Sequence, residues 1–68
     1  MDITTELRRR KRPLSKLPTS ELIQLEAYRC GVHFMIIYEA FIMAMAAGRP
    51  YEILRWELLK RLHQWLNR

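Results

Sequence analysis

Sixteen consecutive residues, Val32 to Ala47, contain only two that are not apolar, His33 and Glu39. A helix that is apolar on nearly every side cannot face water, and one neighbouring helix covers only one side of it. The chain has 68 residues and, outside this run, one other strong helical pattern. The run therefore predicts that a second molecule covers what the rest of the chain leaves bare.

Size sharpens the point. A single core in so short a chain supplies about 3–5 kcal/mol, so such domains lean on disulfides, metals or oligomerisation. Cys30 is the only cysteine, which rules out a disulfide within the chain and leaves no structural zinc site. It is expected to be a buried free thiol in a reducing setting. The start, MDITTELRRR, has no apolar segment after its first charges, so a cytoplasmic location is expected. The formal net charge of +5 favours anionic partners: nucleic acid, anionic lipid or an acidic protein.

Two regions follow from composition. Residues 1–18 read as an N-terminal basic arm. Its head, MDITTEL, fits either a capped helical turn or a short alternating strand. The run Arg8-Arg9-Arg10-Lys11-Arg12 comes next, and Pro13 and Pro18 forbid a continuous helix. Leu14 and Leu17 are placed to pin the arm to the core. Residues 19–68 read as a helical hairpin and oligomerisation domain. Thr19 is the expected N-cap of a long helix ending at Gly48, roughly 29 residues and roughly 43 Å. Gly31 is its weak point, marking a bend or a close crossing. Pro50 suits the first position of a second helix over residues 49–68. The short Gly48-Arg49-Pro50 connection makes the two helices antiparallel neighbours. Folded back, the second helix covers residues 31–47 and leaves residues 21–30 for the arm or another subunit.

At 100° per residue, Tyr51, Leu54, Leu58, Leu59, Leu62, Trp65 and Leu66 share an arc of about 140°, interrupted only by Arg55. This stripe is expected to pack on the long helix. Ile53 and Trp56 fall on the opposite side, in line with Lys60 and His63, a pattern typical of a protein-binding hot spot. The long helix is apolar on two sides, which fits the central helix of a dimeric four-helix bundle. The expected dimer core is Phe34, Ile37, Phe41 and Met45 with Leu58, Leu62 and Trp65.

Catalysis finds little support. Cys30 and His33, three apart on one helix, are the single nucleophile–base pair on offer, and with Glu26 they make a poor metal set. Two glycines in all exclude a Gly-rich phosphate loop. No catalytic residue, metal or cofactor is expected. The basic run is the strongest local signal. Together with Lys16, its five cations are candidate phosphate contacts, giving salt-sensitive binding with little sequence specificity.

Part of the chain resembles ribbon-helix-helix regulators. Arg10, Arg12, Leu14 and Lys16 alternate as in their DNA-reading strand, and LPTSELIQLEAYRCG matches a first helix ending at Gly31. Pro13 interrupts that strand, however, and Val32-His33-Phe34-Met35 is apolar where a polar turn belongs. Residues 30–47 also approach the lower length of a membrane span, with Glu39 in the middle costing about 2.5–3.5 kcal/mol if charged.

The sequence thus points to an all-α helical hairpin with a basic arm, paired as a homodimer in a four-helix-bundle-like core. The expected role is that of a small non-enzymatic regulator that docks on a protein such as a transcription factor or assembly machine. That role follows by analogy with compact basic bacterial, phage and plasmid regulators; the alternative is DNA or RNA binding through the arm, and a minor alternative is membrane association.

Overall fold

The expected long helix is two helices. A computed structural model describes residues 13–67, and within them the chain is all-helical. A short 3-10 turn, Leu14–Lys16, precedes α1 (Thr19–Cys30), α2 (Phe34–Ala46) and α3 (Tyr51–Leu66). The break between α1 and α2 has two causes. Gly31 adopts the left-handed conformation (φ 70°, ψ 32°). There its amide donates to the Tyr28 carbonyl at 3.2 Å, while the Val32 amide donates to the Ala27 carbonyl at 3.0 Å. These paired bonds satisfy the last carbonyls of α1 and close it. His33 then starts α2: its Nδ1 accepts from the Met35 amide at 3.1 Å. Histidine stands outside the usual set of capping residues, so periodicity carried straight through this point.

The same closing arrangement recurs at Gly48 (φ 94°). The Gly48 amide donates to the Met45 carbonyl and the Arg49 amide to the Ala44 carbonyl, at 2.9 and 3.1 Å. Pro50 lies just before α3, where it lacks a side-chain cap but its carbonyl accepts from the Leu54 amide at 3.1 Å. The short α2–α3 connection is where the sequence placed it.

The core is built around α1. Leu22, Ile23, Leu25, Glu26 and Ala27 on α1 are buried, at spacings of three and four. Leu14 and Leu17 from the arm, Phe41 from α2, and Leu54, Leu58 and Leu62 from α3 complete the apolar cluster. Both α2 and α3 pack on α1, so residues 21–30 are covered from within the chain rather than left for a second subunit. The α3 stripe is largely as expected: Leu59, Trp65 and Leu66 flank the buried leucines, while Tyr51 is exposed and meets Phe41 edge-on at 5.8 Å between ring centroids.

Arg55, which interrupts that stripe, ties the arm down. Its guanidinium donates to the Ser15 and Leu17 carbonyls at 2.9 and 2.7 Å and to Thr19 Oγ1 at 3.0 Å. Thr19 consequently does not cap α1. Its hydroxyl bonds to Tyr51 and Arg55, and Pro18 occupies the cap position without a side-chain bond.

Glu26 is the one buried charged residue among those described, 1% exposed. Its carboxylate accepts from Arg29 on the next turn of α1 and from Arg61 on α3, the latter at 3.0 Å. The Glu26 carboxylate raises the Arg29 pKa above its ordinary value, the hydrogen bond outweighing the opposing effect of burial. A buried carboxylate that lost both guanidinium partners would be strongly destabilising; Arg29 pairs it within α1, and Arg61 links it to α3.

No helix among the described residues is long and apolar enough to cross a membrane. The break explains it: α2 has 13 residues, about 20 Å of helix against a hydrocarbon core of about 30 Å.

Candidate interaction surfaces

Of the 13 residues of α2, Phe41 alone is buried. Ile37, Ala44 and Met45 are half-buried beside it and pack against the core. At 100° per residue these four fall within one arc of about 100°. The remaining circumference faces outward. Met43 is 70% exposed, Ile36 57%, and Tyr38, Ile42, Met35 and Phe34 each 40% or more. Glu39 is the one charged side chain of α2. It divides two apolar strips, Met35–Tyr38–Ile42 on one side and Ile36–Ala40–Met43 on the other, each at spacings of three and four. A shallow groove runs along the first strip and Glu39. Val32, in the α1–α2 turn, adds a further 41%-exposed side chain at the end of this surface.

The expected dimer core therefore divides. Phe41, Leu58 and Leu62 are buried inside the protomer, at 8, 4 and 0% exposure, and offer nothing to a second copy. Ile37, Met45 and Trp65 pack at the edge of the same core. Phe34 alone of the seven is exposed. Ile36, Ile42 and Met43 lie on the outward face of α2, outside the seven residues expected at a dimer core. The signal for them was the same run, read with α1 as a separate neighbour.

The second surface lies on α3. Ile53 and Trp56 are 50 and 59% exposed, and Lys60 and His63 lie exposed along the same side. The Lys60 ammonium stands 5.4 Å from the Trp56 ring centroid, a cation–π contact. A groove passes from Trp56 and Leu59 to His63, with Ser15 of the 3-10 turn on its rim. The four residues proposed from spacing thus lie on one outward side of α3.

The other candidates separate. Cys30 is exposed rather than buried, and its Sγ accepts from Arg29 at 3.4 Å. His33 lies beyond the Gly31 turn with Nδ1 committed to the α2 amide, so the two no longer share a helix. No group of His, Cys, Asp and Glu suited to a metal occurs among the described residues. Arg8, Arg9, Arg10, Lys11 and Arg12 lie outside the described residues, as does the head MDITTEL. Lys16 belongs to the 3-10 turn, which replaces the strand that a ribbon-helix-helix pattern requires there, although α1 does end at Gly31 as that pattern asks. Compared with known proteins, the chain matches no family model, no curated protein and no solved structure.

Proposed function

We propose that this chain is a small non-enzymatic regulator that pairs with a second copy through the outward face of α2 and docks a protein partner through the Trp56 side of α3. One observation carries the reading: most of the circumference of α2 is apolar and faces water with a single charge on it. Contiguous exposed apolar surface of this kind marks association sites. A second copy supplies an identical helix with two apolar strips. A two-fold pairing through the Ile36–Ala40–Met43 strip of each copy leaves both Glu39 carboxylates at the solvent edge and is closed, so it does not propagate into fibres.

The test is solution mass combined with α2 variants. Ile36→Glu and Met43→Glu place charges on residues outside the core, so they leave helicity intact and convert a dimer to a monomer. If neither variant changes an oligomer that exists, the pairing runs through another surface. A second reading, nucleic acid binding, rests on the five consecutive cations of residues 8–12. It predicts binding that falls steeply with salt and collapses when Arg8 to Arg12 become alanine.

A further inference from the structure

We infer that the α3 groove over Trp56 and Leu59 takes an acidic amphipathic segment of a partner protein, with an apolar side chain on the indole and carboxylates on Lys60 and His63. This deepens the docking role proposed above and rests on it.

Charge complementarity selects an acidic occupant. None of the described residues lining the groove is acidic: Ser15, Lys60, His63 and Gln64 surround the apolar floor of Trp56 and Leu59. The nearby carboxylate of Glu57 is held by Arg49 at 2.8 Å, and Glu52, one turn before Trp56, lies outside the lining. Lys60 covers the indole from one side, so a carboxylate reaching Lys60 lies beside the ring rather than over it.

The commitment of the arginines around α3 favours a protein over a nucleic acid. A phosphate backbone needs a stripe of free cations. The arginines around α3 are committed elsewhere: Arg49 to Glu57, Arg55 to the arm carbonyls, Arg61 to Glu26. Lys60 and His63 remain on the groove. Two basic groups around an exposed tryptophan fit the apolar-plus-acidic face of a peptide helix better than a run of phosphates.

The experiment titrates the intact protein into two fluorescein-labelled synthetic helices. Each carries leucines on one face; the other face is glutamate in one peptide and glutamine in the second. A random-sequence DNA duplex is the third probe. The expected result is binding of the glutamate peptide, weakened at least about tenfold by Trp56→Ala and several-fold by Lys60→Glu, with the glutamine peptide clearly weaker. Far-UV circular dichroism checks that both variants remain folded, and Lys60→Glu, at an exposed position, serves if Trp56→Ala does not. Equal affinity of the two peptides, or binding unaffected by both variants, overturns the inference. So does a duplex that binds through Trp56 and displaces the peptide. Solution mass is read on the same samples. A dimer that ignores the glutamate peptide refutes this inference alone; a monomer that binds no probe refutes the proposed function as well.

Discussion

Replacing Glu26 by glutamine tests the buried carboxylate that Arg29 of α1 and Arg61 of α3 share. The change keeps the shape of a side chain that is 1% exposed and removes its charge. The amide retains one acceptor but turns an NH2 donor toward a guanidinium. Hydrogen bonds to charged groups contribute about 1.5–3 kcal/mol each. Arg29 and Arg61 are 29 and 50% exposed, so solvent screening discounts both, and Arg61 more. A net loss of about 2–3 kcal/mol follows. For a domain whose core supplies about 3–5 kcal/mol, that is most of the margin. At about 4–8 °C per kcal/mol, Tm falls by about 10–20 °C. Thermal and urea unfolding followed by circular dichroism, at one fixed protein concentration, reads the effect. Arg61→Ala costs under about 1 kcal/mol on the same reasoning. A double-mutant cycle between the two positions shows coupling. An E26Q protein within about 0.5 kcal/mol of the parent, the size of an ordinary surface change, refutes the account of the triad. The Arg29 pKa is raised on folding, so its stabilisation is complete below the ordinary arginine range and is lost only as pH rises through the raised folded value. The Arg29 side of the pair therefore adds no pH dependence in the neutral range.

Four further outcomes follow from the same contacts. His33→Ala costs about 1 kcal/mol in urea unfolding, and His33→Asp restores it by capping the same α2 amide. Gly31→Ala costs about 1–2 kcal/mol from its left-handed backbone alone, since nothing lies within 4 Å of an added Cβ. Arg55→Ala frees the arm and raises the rate of limited proteolysis near Ser15, with a stability loss of about 1–2 kcal/mol, because three hydrogen bonds go with it. Phe41→Ala destabilises by about 3 kcal/mol or more, whereas Met43→Ala, on the same helix at 70% exposure, leaves the stability of a lone protomer nearly unchanged.

The α3 stripe and the position of the hairpin turn were legible in the sequence because each rests on local rules: leucines every three or four residues, Gly48 after the last turn, Pro50 at the next start. The break at residues 31–33 was half legible. Gly31 marked the place, but an apolar continuation through Val32 and Phe34 offered no polar stop, and a histidine acting as a cap is a tertiary accident of rotamer and tautomer. The burial of Glu26 was not legible either. A carboxylate three residues before an arginine fits an ordinary pair on the surface of one helix; only the placement of α3 brings Arg61 and encloses the carboxylate. The same placement explains why Phe41, Leu58 and Leu62, expected at a dimer core, are buried within one chain. Once α1 is a separate helix it claims Phe41, Leu58 and Leu62, and the opposite side of α2 is left exposed. The face of Ile53, Trp56, Lys60 and His63 was readable because an outward position needs no partner to define it.

The exposed side of α2 is the centre of the account, and solution mass tests it most directly. Sedimentation equilibrium at micromolar concentration, without detergent, is expected to give twice the 8.3 kDa chain mass. Ile36→Glu together with Met43→Glu should return a helical protein of single-chain mass. A parent protein that stays at 8.3 kDa across that range, folded and unaggregated, would contradict it.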